Sequence, residues 1–145
     1  MAKFLVDEAV SLMEEKLVCL ERDLKRRCIY DMMNAGADVL IESWKNVIQE
    51  KRHVRSEAMY RSVAKTDVME EVDGASIEVY PMGTDKHRIN NAQKAFILHY
   101  GREAKKNGRK GIKGDKFVNT AEKRSKERVA AVMQEVLDRY ISGKD

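Results

Sequence analysis

The sequence has few of the residues that cross-link, kink or ligate. Among 145 residues there are two cysteines, one proline and three histidines, and aromatic residues make up only 6%. Cys19 and Cys28 lie nine positions apart in a segment with helical periodicity, so they should face opposite sides of a helix, about 13 Å apart along its axis. That distance excludes a disulfide between them.

Long apolar runs are absent as well. No run approaches the ~20 residues that a membrane-spanning helix needs, and the first residues lack the pattern of a secretory signal. Hydrophobic residues make up 43% of the chain and charged residues 36%, which suits a soluble protein with a core of its own. We therefore expect a single domain over residues 1–145, made in the cytoplasm and without membrane contact.

The motifs of enzymes and metal proteins are also missing. His53, His87 and His99 are far apart, and neither C-x-x-C nor H-E-x-x-H occurs, which argues against a zinc site. The glycines between Gly108 and Lys116 do not follow the phosphate-binding order G-x-x-x-x-G-K-[ST], and no G-x-S-x-G frames a serine. The sequence predicts no enzyme, no metal ligand and no cofactor, and it predicts that His99 is a packed core histidine.

What the sequence does contain is strong helical periodicity in its first third. Apolar residues recur at alternating spacings of four and three, the pattern of a narrow seam that packs against another helix. The seam consists of Val6, Val10, Met13, Leu17, Leu20 and Leu24. We expect helix over residues 1–50, with a bend or break at Asn34-Ala35-Gly36, where the apolar stripe shifts. The seam leaves two alternatives open, an intramolecular core or a coiled coil between molecules with residues 1–50 projecting.

The periodicity changes in the middle of the chain. Ser56 precedes a short helical segment, and two strand-like stretches then flank Asp73-Gly74, a pair that favours the tight turn of a β-hairpin. The second strand should end at Pro81, which lacks the N–H that a longer ladder needs. Asn90 predicts the start of a helix that ends at Gly101, with a buried strand over 95–100 as the less favoured alternative. The inner face of this helix is predicted to be Ala92, Ala95, Phe96 and His99.

The last third combines a basic loop with a long helix. Residues 102–116 contain glycines and lysines without any apolar period, which predicts a flexible loop. A helix should follow from Phe117, with Asn119 and Glu122 as a capping box and Gly143 beyond its end. Its apolar face is Val129, Val132, Met133, Val136, Leu137, Tyr140 and Ile141. Long helices at both ends and a small antiparallel sheet between them make the predicted fold class α+β.

Charge is unevenly distributed along the chain. The formal net charge is only +4, but residues 67–78 carry five acids and no base. The basic residues of the predicted loop are Arg102, Lys105, Lys106, Arg109, Lys110, Lys113 and Lys116, against Glu103 and Asp115. One acidic and one basic segment on the same molecule suit subunits that pack head to tail around a ring. The basic loop also suits a second class, a small basic nucleic-acid-binding accessory protein that contacts phosphates without reading sequence.

The order of these parts resembles a family of phage proteins. A hairpin that ends in Val79-Tyr80-Pro81-Met82-Gly83 is followed by a helix, by Tyr100-Gly101, by a Gly/Lys loop, and by Phe117 ahead of a helical Ala121. This order is similar to the tail-component family of siphophages, myophages and PBSX-like prophage elements, whose members are called head-tail connector, neck or tail completion proteins. The likeness covers roughly residues 55 to 141, and the prolines that are usual in the family just ahead of the Phe are missing here.

The resemblance implies a structural virion protein without enzymatic activity. Such a subunit would complete the head-proximal end of the tail as an oligomeric ring, with a hexamer as the candidate stoichiometry, and join it to the head. Its neighbours would be the tail tube or terminator protein and the head-neck connector. It would be made and assembled in the cytoplasm of a bacterial host. We expect residues 102–116 to be the assembly arm, in contact with an acidic neighbour or with DNA in the channel.

Overall fold

The computed structural model describes residues 20–51, 57–71, 74–106 and 108–143, together with the backbone of residues 3–5. These residues form an α+β fold, so the predicted fold class is confirmed. In chain order the elements are β1 (Lys3–Leu5), α1 (Arg22–Glu50), α2 (Ala58–Ser62), β2 (Val63–Lys65), β3 (Met69–Glu71), β4 (Gly74–Pro81), α3 (Asn91–Tyr100), β5 (Gly101–Arg102), β6 (Ile112–Lys113) and α4 (Phe117–Ile141).

The two long helices, α1 and α4, lie antiparallel and supply most of the core. Their buried apolar side chains are Cys28, Met32, Met33, Ala37, Val39, Leu40, Trp44, Val47 and Ile48 on α1, and Phe117, Val118, Ala121, Val129, Met133, Val136 and Leu137 on α4. Burying one large apolar side chain contributes roughly 1.5–3 kcal/mol. Exposed ion pairs along the margin, such as Arg128 with Glu42 at 3.7 Å, contribute little by comparison. Apolar burial therefore holds the helix pair together.

Gly36 lies in the contact between these two helices. A Cβ atom at Gly36 would be 3.2 Å from Val129 Cγ1 and 3.4 Å from Met133 Cγ. Helix α1 continues without interruption through Asn34, Ala35 and Gly36, so the predicted break at this point is wrong. The glycine serves the close approach of α4 and does not interrupt the helix.

The predicted seam of the first third is only partly described. Val6, Val10, Met13 and Leu17 lie outside the described residues. Leu20 precedes α1 and is half-buried against the core, whereas Leu24 is half-buried within the helix. The expectation of helix over residues 1–50 is wrong at Lys3–Leu5, which pair with β4, and at Leu20, because α1 begins at Arg22. Where α1 is described, its apolar stripe is intramolecular core.

The sheet is built around β4. Ser76 pairs with Leu5 of β1 and with Met69 of β3, so these two strands lie on opposite edges of β4. The predicted hairpin is confirmed, with one shift: Gly74 is paired with Glu71 in the ladder, while Asp73 lies outside the described residues. The strand ends at Pro81, as predicted. Ala75, Ile77 and Val79 of β4 are buried in the core that α1 and α4 also line.

A bulge separates β2 from β3. Lys65 pairs with Val79, and Met69 pairs with Ser76, so four steps on one strand oppose three on the other. The Thr66 N–H donates to the Glu78 carbonyl at 2.9 Å, and the Glu78 N–H donates to Thr66 Oγ1 at 3.0 Å. The extra residue bends the outer strand, which carries the acidic residues around Met69 away from the line of β2.

Helix α3 begins and ends where the sequence predicts. The Asn90 side chain accepts a hydrogen bond from the Gln93 N–H at 3.2 Å, and Gly101 ends the helix with a φ of 85°. Ala95 and His99 face the core, and Ala92 is half-buried. Phe96, predicted on the inner face, is instead 54% exposed. Phe96 follows Ala95 by one position and is therefore rotated about 100° from it around the helix axis. The buried face is formed by Ala95 and His99, four positions apart, so Phe96 lies outside it.

Two local predictions near the start of α4 are wrong. Residues 102–116 do contain regular structure, because β5 and β6 pair as a short hairpin with Gly101 opposite Lys113. The capping box is also absent, since Asn119 lies within α4. The N–H of Phe117 donates instead to Asp115 Oδ1 at 3.1 Å, and Lys116 at the cap has a φ of 55°. Gly143 follows the helix end, as predicted.

Candidate assembly surface

A cleft with aromatic walls lies where α1, α3 and α4 meet. The side chains that line it are Trp44, Ala95, Phe96, His99, Tyr100, Val118, Asn119 and Glu122. We call this the aromatic cleft. Trp44 and His99 are buried, whereas Phe96 and Tyr100 stand at its rim.

His99 is held as a neutral, packed histidine. Its Nδ1 accepts a hydrogen bond from the Val118 N–H at 3.3 Å, and its ring packs edge-on against Phe117 at 6.1 Å between centroids. Burial lowers the pKa of His99, and the nearby Lys116 lowers it further. The prediction that His99 packs in the core is confirmed. Its accepting nitrogen ties the end of α3 to the first turn of α4.

Trp44 is the central buried aromatic residue of the cleft. The indole is 1% exposed and packs edge-on against Phe117 with ring centroids 5.6 Å apart. Among the described residues nothing accepts a hydrogen bond from its Nε1–H.

The rim of the cleft exposes aromatic surface beside a cation. Phe96 is 54% exposed and Tyr100 is 55% exposed, and their ring centroids are 4.7 Å apart. Lys116 Nζ lies 4.2 Å from the centroid of the Tyr100 ring. Phe117, at the other end of the basic segment, is instead fully buried at 0% exposure.

Residues 101–116 form what we call the basic hairpin. Arg102 Nε donates to the Lys110 carbonyl at 3.3 Å, and the Lys105 N–H donates to the Arg109 carbonyl at 2.9 Å. The exposed cations are Lys105, Lys106, Arg109, Lys110, Lys113 and Lys116, and Arg102 is half-buried. All the cations that the sequence assigned to the assembly arm are therefore in one small element next to the aromatic cleft.

Close backbone contact fixes the base of the basic hairpin on α3. A Cβ atom at Gly114 would lie 2.4 Å from the carbonyl carbon of Tyr100, and one at Gly101 would lie 2.5 Å from the Ile112 carbonyl oxygen. The N–H groups of Asp115 and Lys116 donate to the carbonyls of Leu98 and His99. No larger residue fits at either glycine, so the hairpin is seated directly against the end of the helix.

A second charged element, which we call the acidic hairpin, comprises residues 67–71 and 74–78. Its acids are Asp67, Glu70, Glu71 and Glu78, and Met69 among them is 59% exposed. Glu70 lies 3.6 Å from Arg26, and Glu71 accepts a hydrogen bond from Ser76 at 2.8 Å. The contact with Arg26 places the acidic hairpin at the beginning of α1.

The two hairpins contact the helix pair at points far apart along α1. The acidic hairpin contacts α1 at Arg26, whereas the basic hairpin leads into Phe117, which packs on Trp44. Arg26 and Trp44 are eighteen positions apart, which corresponds to about 27 Å along the helix axis. Glu70 of the acidic hairpin and the base of the basic hairpin are therefore well separated.

The residues that carried the family resemblance come together at one junction. Tyr100 and Gly101 end α3, while Phe117 and Ala121 occupy the first turns of α4. Ala121 is fully buried, and its carbonyl accepts a hydrogen bond from Ser43 Oγ at 2.7 Å. Sequence reasoning missed Trp44, Glu122 and Met69. Trp44 as the sole tryptophan was a signal for a packing centre, but no local pattern reveals that these helices enclose a cleft.

Comparisons with protein-family models, with curated proteins and with solved structures found no match to this chain. In the part of the chain that the structure describes, no helix combines the length and the apolar character needed to cross a membrane. The same residues contain no group of three or more His, Cys, Asp or Glu side chains that could hold a metal ion. The surface features above are therefore the basis for inferring function.

Proposed function

We propose that this chain is a structural subunit of a phage or phage-like particle that completes the head-proximal end of the tail and joins it to the head. The observation that carries the proposal is that one molecule presents an acidic hairpin and a basic hairpin, which contact α1 at the well-separated residues Arg26 and, through Phe117, Trp44. The family resemblance of residues 55 to 141 supports the same class.

A molecule with complementary ends associates head to tail. Contact between the acidic hairpin of one copy and the basic hairpin of the next is heterologous, since different surfaces meet. Such contacts close into a ring when the rotation between neighbours permits closure, and a ring is what the end of a tail tube requires. Charge complementarity also selects the correct partner surface and speeds encounter between subunits.

Nucleic-acid binding remains a second candidate, because the exposed cations stand beside exposed aromatic rings. Stacking of bases on Phe96 and Tyr100 would combine with phosphate contacts from the basic hairpin. The arrangement is less favourable than it looks, since the Tyr100 ring already contacts Lys116 and Phe96. The acidic hairpin also has no role in this alternative.

The experiment that tests the proposal neutralises the basic hairpin. A variant with glutamine at Lys105, Lys106, Arg109 and Lys110 should keep its fold, because these side chains are exposed, and should support less joining of heads to tails. The readout is the yield of complete particles by electron microscopy. The control carries glutamine at Lys86, Lys123, Lys126 and Arg139, which are exposed elsewhere and give the same change in net charge.

Normal particle yield from the hairpin variant would remove the proposal. A mobility shift on random duplex DNA over a salt series separates the second candidate. Nucleic-acid binding predicts an affinity that falls steeply with salt and that is lost in the hairpin variant. If the chain is a virion subunit, joining of heads to tails should depend on the basic hairpin even where the affinity for this DNA is weak.

A further inference from the structure

We infer that the acidic hairpin of one copy docks on the aromatic cleft of the next copy, with Met69 seated between Phe96 and Tyr100. The inference rests on the proposed function and deepens it, because it names the contact that joins neighbouring subunits. The surfaces that would meet in this contact have exposed features that the fold of a single copy does not explain.

Met69 is an apolar side chain that its own fold leaves uncovered. It is 59% exposed in a three-residue strand whose other residues, Glu70 and Glu71, are exposed as well. An isolated exposed apolar residue is common, but this one stands between acids at the edge of a sheet. A methionine adapts its shape and makes favourable sulfur contacts with aromatic rings, which suits it to an aromatic partner surface.

The aromatic cleft has the complementary character. Its rim presents two half-exposed rings, Phe96 and Tyr100, that would cover an apolar side chain. The cations of the basic hairpin continue directly from Tyr100, and Lys116 already lies on its ring. A methionine flanked by acids therefore meets rings flanked by cations, so the same register satisfies both the apolar and the charged parts of the contact.

One group in the cleft works against an acidic partner. Glu122 lines the cleft, and burial raises its pKa. Its carboxylate would repel the acids of the docked hairpin, so removing its charge should strengthen the contact. A basic partner would instead bind more weakly after this change, so the sign of the effect separates an acidic occupant from a basic one.

The occupant must come from another copy. The acidic hairpin and the aromatic cleft of one molecule are separated by about 27 Å along α1, so a copy cannot fill its own cleft. Each docking event leaves a free hairpin at one end of the pair and a free cleft at the other. Addition can continue until the ring closes.

The first test measures self-association of the full chain by sedimentation. Met69→Ala should raise the dissociation constant of self-association about tenfold, since docking would bury most of a methionine side chain. Ile141→Ala is the matched control, because Ile141 is 44% exposed at the far end of α4 and outside the proposed contact. Glu122→Gln should tighten association. Equal self-association of Met69→Ala and Ile141→Ala overturns the inference.

The second test identifies the two surfaces directly. Met69→Ala retains the cleft, and Phe96→Ala retains the acidic hairpin, so each alone should associate poorly while their mixture forms dimers. A benzophenone amino acid placed at position 96 in isotopically light chains should cross-link residues 67–71 of heavy chains. Cross-links confined to single chains, or to any other region of the heavy chain, overturn the inference.

The outcomes separate this inference from the proposed function. If the basic-hairpin variant with four glutamines loses head-tail joining while Met69→Ala associates normally, the docking contact is wrong and the virion role stands. If the purified chain does not self-associate at any concentration, the docking contact is wrong whatever the particle yield. If particles form normally with the four-glutamine variant of the basic hairpin, the proposed function itself fails.

Discussion

Substitutions at Gly36 test how closely α1 and α4 pack at this position. Alanine is favoured over glycine within a helix by about 0.5–1 kcal/mol. Its Cβ would lie 3.2 Å from Val129 Cγ1, so that neighbour must shift by a few tenths of an ångström. The two effects oppose each other at similar size. We expect the free energy of unfolding of Gly36→Ala to be within ~1 kcal/mol of that of the unsubstituted chain.

Gly36→Val should be clearly destabilising. Valine adds two γ-carbons beyond a Cβ that already touches α4, and its branched side chain cannot rotate both of them away. Overpacking of this kind costs roughly 1–3 kcal/mol, which lowers the melting temperature of a protein this size by about 3–10 °C. Thermal and urea unfolding followed by circular dichroism measures the effect.

The control for helix propensity is Ala130→Val on the exposed face of α4. There valine should cost only about 0.5 kcal/mol, because it meets no neighbour. If Gly36→Val is no less stable than this control, the two helices are not in contact at Gly36. A gain of a full kcal/mol or more from Gly36→Ala would contradict the crowding equally well.

Two further predictions follow from titrating groups. Hydrogen bonding by Lys94 and by the backbone N–H groups of Ile89 and His87 lowers the pKa of Asp85 to about 2 from 3.8. Because the pKa of this carboxyl is lower in the folded state, its ionisation stabilises the fold above pH 3.8, and this stabilisation is lost as the pH falls towards about 2. NMR titration should therefore show Asp85 ionised down to that range, and Asp85→Asn should unfold at lower temperature with less dependence on acid; an ordinary Asp85 titration contradicts the geometry. Burial, assisted by Asp31, raises the pKa of Cys28 to about 11. In a Cys19→Ser background at mildly alkaline pH, iodoacetamide should modify Cys28 only after unfolding, and fast labelling of the native protein would show that the thiol is accessible.

The parts of the fold that the sequence predicted are those with local causes. The periodic apolar residues of α1 and α4 predicted the two long helices, and the cap at Asn90 and the stop at Pro81 depend on chemistry within a few residues. The structure confirms these because their partners are close in sequence.

Two of the errors have long-range causes. Gly36 looks like a helix breaker until Val129 and Met133 are seen against it. Lys3–Leu5 become a strand because β4 offers an unpaired edge more than 70 positions later in the chain. The error at Asn119 is local: the helix begins two residues earlier, and Asp115 accepts the hydrogen bond from the Phe117 N–H.

The candidate site was half predictable. The cations of the basic hairpin are visible as composition, and the structure gathers them beside Tyr100. The aromatic cleft was not predictable, because it needs Trp44, His99 and Glu122 from three helices to converge. Nor could the sequence show that the acidic hairpin contacts α1 at Arg26 and that the basic hairpin leads into Phe117 against Trp44, since both contacts depend on how α1 packs.

The seating of the basic hairpin on backbone atoms has an evolutionary consequence. Gly101 and Gly114 let main chain rest on main chain, and the carbonyls of Leu98 and His99 hold Asp115 and Lys116. Because main-chain atoms make these contacts, substitution of the exposed Lys105, Lys106 or Lys110 changes the charge of the hairpin without removing a hydrogen bond that anchors it. Sequence divergence can thus alter the chemistry of this element while its attachment is inherited unchanged.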